Sequence, residues 1–467
     1  MPIRSSAFAI TVSLSAVLLA GCADGGSSAT HAAGTVPLTP QGSASGAQAS
    51  SGRQTHSGVR RTQAAPTCSG TGVEAFVGGP GSTMFGLNVA GGEYAVVAGG
   101  ENNQACDAWS TIAGGYTNAV SGSGGPEDGF IGGGENNVVT GYGQDSSVVG
   151  GDNNVVSSND SAIVGGQSNS VAVPFALVGG GQSNTIASGG TYASIVSGYG
   201  NHVSAEYGFI GAGTDNTVSG EGGYVAAGGY NTVSGEGAVI DGGFNNTAAG
   251  TFATIPGGYV NSAGGTYSFA AGARASAVQT GTFVWSDGSD GDTILTSSRQ
   301  YQFLARASGG VTFWTNAGST VGATLAPGSG TWASASDRNL KTDVARIDDA
   351  AVLDKVATLP IERWSYKSER GVRHVGPMAQ DFYAAFKVGE DDKHITSIDE
   401  DGVALAAIKA LHAENADARA AIKLLHVENA ELRARLATAT ASESARIAAM
   451  QAKLQRLSAQ MDALRER

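Results

Sequence analysis

Lysine is missing from the chain until Lys341, and between Cys68 and Ala335 the only Lys or Arg residues are Arg274, Arg299 and Arg306. A region so poor in cations cannot neutralise phosphates, so nucleic acid and anionic lipid surfaces make poor partners for it. The formal net charge of -13 resides in this acidic part and suits a neutral or cationic partner. Proline is scarce, 11 of 467 residues, and the 71 glycines keep no Gly-X-Y period. That excludes collagen and leaves glycine to serve turns. No cofactor or metal is expected. Asp287, Asp290 and Asp292 offer oxygen ligands for a cation, but a plain acidic turn is the better reading of them.

What is present is uneven along the chain, and several regions are expected. Residues 1–21 carry one early cation, Arg4, and then an apolar run at 7–20 that is too short to span a bilayer comfortably. This is the pattern of an export signal. The run closes in Leu19-Ala20-Gly21-Cys22, which resembles the lipobox of bacterial lipoproteins. The resemblance implies lipidation of Cys22, and Ala23 after it resembles the outer-membrane sorting pattern. A lipid-anchored protein of the bacterial outer membrane, displayed at the cell surface, is therefore expected. Residues 22–66 are Ser, Gly, Ala, Thr and Gln with almost no large apolar side chain, the composition of a disordered tether. Cys68 and Cys106 remain in a compartment where disulfides persist; whether they pair depends on geometry that spacing does not give.

Residues 67–277 repeat. The segment Gly-Gly-x-x-Asn recurs, as in Gly150-Gly151-Asp152-Asn153-Asn154 and Gly165-Gly166-Gln167-Ser168-Asn169, and the last Asn returns every 15 residues apart from small insertions near Gly122, Tyr142 and Ser188. A fixed period means stacked identical units. Each unit has room for two strands of about four residues, such as Ser161-Ala162-Ile163-Val164, with glycine pairs at the corners. Asn tolerates the same left-handed backbone, and its amide can ladder with the Asn one coil above. The fold class is therefore mainly β, a β-roll or β-solenoid of 15-residue coils. Its core is thin, so one chain gains from packing on copies of itself, and a homotrimer is expected. These residues resemble the head domains of trimeric autotransporter adhesins, left-handed β-rolls of Asn-x-Ala-x-Gly and Ser-x-Ala-x-Gly coils, most closely at Ser268-Phe269-Ala270-Ala271-Gly272-Ala273. No membrane barrel follows, so the lipid would be the anchor.

Tailspike glycosidases place paired carboxylates on solenoid faces. Here Glu101, Glu135 and Asp152 share one turn slot of the repeat, which describes a solvated corner better than a convergent site.

Residues 278–335 lose the period and gain aromatic strands, such as Tyr301-Gln302-Phe303-Leu304-Ala305-Arg306, and read as a β connector. Next comes Ser336-Asp337-Arg338-Asn339-Leu340-Lys341-Thr342-Asp343. A serine hydroxyl is a weak nucleophile until a base takes its proton, and lysine serves as that base when it is neutral. Taken with Arg373-His374-Val375-Gly376-Pro377-Met378-Ala379-Gln380 and Ala404-Leu405-Ala406-Ala407-Ile408-Lys409-Ala410-Leu411, the segment resembles the peptidase S74 family, the intramolecular chaperone domains of endosialidase tailspikes and other trimeric fibres. The resemblance implies a small α+β chaperone domain at 336–402, a catalytic dyad of Ser336 and Lys341, and self-cleavage at the Ser336-Asp337 junction after assembly. By the same match Asn339, His374 and Gln380 are supporting residues near the site. A serine cannot readily attack its own carbonyl. Cleavage after Ser336 thus needs an activated water or a neighbouring chain, whereas an N-to-O shift would cut before it.

In residues 403–467, Ile408, Asn415, Ile422, Asn429 and Leu436 occupy heptad position a, and Leu411, Ala418, Leu425, Leu432 and Ala439 position d. That is a coiled-coil seam in which Asn sets register. After Ala439 it resumes at Ile447, Met450, Leu454, Leu457, Met461 and Leu464, shifted by four residues, a stutter. Two functions from different classes follow: a passive, adhesin-like surface fibre finished by its own peptidase, or a spike that binds or cleaves a glycan on a host or other surface and is matured by the same chaperone.

Overall fold

The computed structural model describes Cys68, residues 76–77, 88–122, 128–141 and 144–466; the export signal, Cys22 and the tether at 22–66 lie outside these residues. One coil of the repeat shows how the sequence builds the fold. Asn154 opens it, Val155–Val156 forms a strand, the chain turns through Asp160, and Ala162–Ile163 forms a second strand before the Gly165-Gly166 corner leads to Asn169. Each strand pairs only with its counterparts in the coils before and after, always in parallel: Val155 with Ser170, Ala162 with Leu177. Among the described residues the two kinds of strand stack into sheets of 14 and 16 strands, the larger counting Gly258–Tyr259 off its main row, and a third row of single bridges runs from Glu101 through Tyr116 and Glu135 to Tyr259. The result is a β-solenoid of about 13 turns.

Two details differ from the sequence reading. The strands are mostly two residues long rather than four, because corners at positive φ follow too closely for more residues to stay extended. The residue in the left-handed region is the one before the ladder Asn, as at Asn153 (φ 54°) and Ser168 (φ 58°). The ladder Asn is kept for its amide.

Two-residue strands put one side chain in and one out. Val156, Val171, Ile186, Val203 and Val218 form one fully buried column, facing Ile163, Val178, Ile195, Ile210 and Val225 in the other sheet. Each such side chain contributes about 1.5–3 kcal/mol by leaving water. The third column is polar. Asn169 donates through Nδ2 to Asn154 Oδ1 (3.0 Å), Gly165 O (3.1 Å) and Gly181 O (3.0 Å), while its own Oδ1 accepts the Asn184 N–H at 3.0 Å. Serine is too short for this reach and aspartate has no donor. Gly166 is required beside it: its φ is +94°, and a Cβ there would stand 2.0 Å from Gly181 O.

Parallel pairing continues past residue 277. Phe269 pairs Phe283 and Phe283 pairs Phe303, their rings stacked at 4.6 and 4.8 Å, so lost periodicity in this region means longer loops and not the end of the sheet. A three-stranded antiparallel sheet follows: Val311–Trp314, Gly322–Leu325 and Trp332–Ser334.

The C-terminal part holds helix α1 (Asp349–Thr358), an antiparallel pair of Glu362–Trp364 with His374–Gly376, helix α2 (Ala379–Phe386) and helix α3 (Ser397–Arg465). Helix α1 packs on α3 at the buried Ala406, Ala407 and Ala410, and Asp349 pairs with Lys409. Beyond that contact α3 is exposed on every side, its seam residues Leu425, Leu432 and Leu454 included. No described helix is long and apolar enough to cross a membrane.

Candidate functional site

The site begins where the last β-strand ends. Ser334 closes the antiparallel sheet, and three residues later Asp337 caps a single turn of 3-10 helix, Arg338–Leu340. Asp337 Oδ1 accepts the Asn339 backbone N–H at 2.9 Å and its side-chain Nδ2 at 3.1 Å. Aspartate is suited to this place because its carboxylate satisfies donors that a helix start leaves free. The turn then delivers Lys341 back to Ser336, with Nζ 2.7 Å from Oγ. This separation lies within the reach expected of a base and the hydroxyl it activates. Both side chains are exposed in the single chain.

Asn339 therefore acts on Asp337, and through it on the turn. Among the described residues no hydrogen bond or ion pair joins His374 or Gln380 to Ser336 or Lys341. His374 sits opposite Trp364 in the antiparallel pair, ring centroids 4.7 Å apart, with Tyr366 edge-on at 5.6 Å and Glu369 Oε2 at 3.6 Å from Nε2. Its Nε2 and the Trp364 Nε1 are buried without a hydrogen-bond partner among the described residues. Trp364, Tyr366 and Glu369 escaped the sequence reading. The alternation Trp364-Ser365-Tyr366 before the histidine was the available signal, since alternate residues of an extended segment share a face. Gln380 lines a shallow pocket with Tyr383, Ala384, Lys387, Asp391 and Asp392.

The other sequence candidates are accounted for by ordinary contacts. Asp290 pairs with Arg306 at 2.5 Å and Asp292 with Arg274 at 2.7 Å. Asp287 accepts from the N–H and Oγ of both Ser289 and Ser308. Those bonds, the Ser308 hydroxyl foremost, hold its carboxyl well below the usual range. The loop carboxylates are thus spent on protein partners. Glu101, Glu135 and Asp152 lie in the outer row of bridges, where Asp152 Oδ2 accepts from Gln167 one coil on at 2.9 Å. Cys68 and Cys106, left open by sequence, are joined as a disulfide with Cα atoms 5.7 Å apart.

Residues 336–388 match the Peptidase_S74 family, described as the chaperone of endosialidase. The matched stretch opens on Ser336 and includes Lys341, His374 and Gln380. Among curated proteins none matches the chain. The molecule is a β-solenoid followed by a segment similar to that chaperone and then a long helix.

Proposed function

We propose that the chain is the precursor of a surface fibre: a lipid-anchored trimer of β-solenoids whose C-terminal segment acts as an intramolecular chaperone and then releases itself by cutting near Ser336-Asp337. The observation that carries this reading is the 2.7 Å approach of Lys341 Nζ to Ser336 Oγ at the first residue of the matched segment. Neutral lysine takes the hydroxyl proton, and the oxygen attacks a backbone carbonyl. Attack on the carbonyl of Ala335 gives an ester that water then splits, which cuts before Ser336. Attack by a neighbouring chain, or by a water that the pair activates, cuts after it.

Removal from water favours the neutral form of a lysine. In one chain the pair is open to solvent, so neighbouring chains supply the cover and cleavage waits for assembly. The exposed seam of α3 supports the trimer: a helix in a protein draws most of its stability from packing an apolar face, and Ile422, Leu425, Leu432 and their like gain by packing on copies. Asn415 and Asn429, at seam positions, set the register of that coiled coil.

Intact mass of the protein purified from its own membrane tests the reading. A fragment starting at Cys22, heavier by its acyl chains and ending at residue 336 or 335, supports it and identifies the bond cut. A single unprocessed chain would sink it.

A further inference from the structure

One exposed column of the solenoid is aromatic. In the described coils the turn between the two strands holds a residue in the left-handed region, and Tyr192, Tyr207, Gly222, Gly237 and Phe252 follow one another there with φ between 56° and 62°. Bulky side chains rarely adopt this backbone. Here their rings are stacked: Phe175 on Tyr192 at 5.0 Å, Tyr192 on Tyr207 at 5.3 Å, and Phe252 on Tyr267 at 5.6 Å, all within 9° of parallel. Between Tyr207 and Phe252 two rungs are missing.

The two glycines in the gap are not equivalent. A Cβ on Gly237 would lie 2.6 Å from ring carbons of Phe252, so that ring leans over Gly237, whereas a Cβ on Gly222 would meet nothing within 4 Å. The gap is therefore an open slot with Gly222 as its floor, Tyr207 as one wall and Phe252 as the other. Its rungs stand three coils apart, about 14 Å, and the Phe252 ring takes up the level over Gly237, which leaves room for one ring-thick layer. Tyr207 and Phe252 are 55% and 49% exposed in the single chain. The residue before each rung on this stretch is an exposed glutamate: Glu206, Glu221 and Glu236.

Flat apolar walls one ring apart select a ring that offers a C–H face for stacking, and a rim of carboxylates selects positive charge at its edges. Sugar rings that carry amines meet both conditions. We propose that the slot binds a cationic amino-sugar polymer, one hexosamine unit lying between Tyr207 and Phe252 with its ammonium group, and those of the adjoining units, toward the three glutamates. The site belongs to the solenoid and does not rest on self-cleavage.

Titration calorimetry of the full-length protein with a glucosamine tetramer, and with the same tetramer N-acetylated, tests the proposal. The cationic tetramer should bind at least tenfold tighter. Gly222→Tyr restores the missing rung at a φ that Tyr192 and Tyr207 already adopt, so it should fold as before and abolish binding. Glu221→Gln should narrow the difference between the two probes, and Ser336→Ala should bind like wild type whether or not it is cleaved. Absence of binding by wild type, or unchanged binding by Gly222→Tyr, overturns the proposal. So does tighter binding of an arginine tetrapeptide than of the glucosamine tetramer, which would assign the slot to protein.

Discussion

Lys341 returns to Ser336 across one capped turn, Nζ to Oγ 2.7 Å, without help from any residue outside 336–341. The contact is local, so it can form in each chain before any assembly. What such a pair lacks in isolation is exclusion of water, and that depends on neighbours rather than on the turn.

The first prediction concerns this pair. Ser336→Ala and Lys341→Ala should each leave one uncut chain that still assembles, since neither residue belongs to the α3 seam. Lys341→Arg should also stay uncut, because arginine keeps the charge but cannot give up its proton. Electrophoresis and intact mass read the result. Cleavage persisting in purified Ser336→Ala would assign the cut to an outside protease.

A chain ended at Ala335 from the start should misassemble, because the solenoid lacks the part proposed to set its register. Light scattering and sedimentation after refolding would show aggregates or mixed species. A trimer matching the processed protein would remove the chaperone role.

The Asn ladder makes a sharper demand on stability. Asn169→Ala removes an amide that serves two glycine carbonyls and the coils on either side, with about 1–3 kcal/mol lost for each buried group left unpaired. Asn169→Asp should be worse, since it places a charge in a column that is 0% exposed. Denaturant unfolding of the two variants should rank them in that order. Equal stability of Asn169→Asp and wild type would mean that the ladder is dispensable.

Acid should act on the loop tied by Asp287. Its carboxyl is depressed in the folded chain by the serine hydrogen bonds, so its stabilising effect is complete above the ordinary carboxylate pKa of about 4 and is lost as pH falls below that value. Amide exchange at Ser308, whose N–H is bound by Asp287, should stay protected from neutral pH to about 4 and open only in stronger acid. Asp287→Ala should leave Ser308 unprotected at every pH. Protection unchanged in that variant would show that the loop is held by other contacts.

Anchoring is tested separately. A fatty-acid analogue fed to cells should label wild type and not Cys22→Ala. Equal labelling of the two would remove the lipid anchor from the proposal.

Much of the architecture was legible because every coil repeats one local problem. A glycine that must turn left, an Asn whose amide must reach up, down and back, and one inward aliphatic per strand recur at a fixed step, so periodicity alone gives stacked parallel coils. The Ser336–Lys341 contact was legible for a related reason, since five residues and one cap suffice to make it. Other features depend on residues far apart in sequence. Cys68 meets Cys106, Asp287 meets Ser308, and His374 meets Trp364 only after strands or coils have been placed side by side. The slot at Gly222 is of the same kind: its glycine looks like any other corner until the rings of the neighbouring coils are stacked and one level is left empty. Sequence by itself determined the coil, because backbone sterics and amide reach act within a single repeat. Tertiary structure decided what stands next to what between coils, because lateral neighbours are set by how far the chain travels before it returns, and a short insertion changes that distance without altering the local pattern.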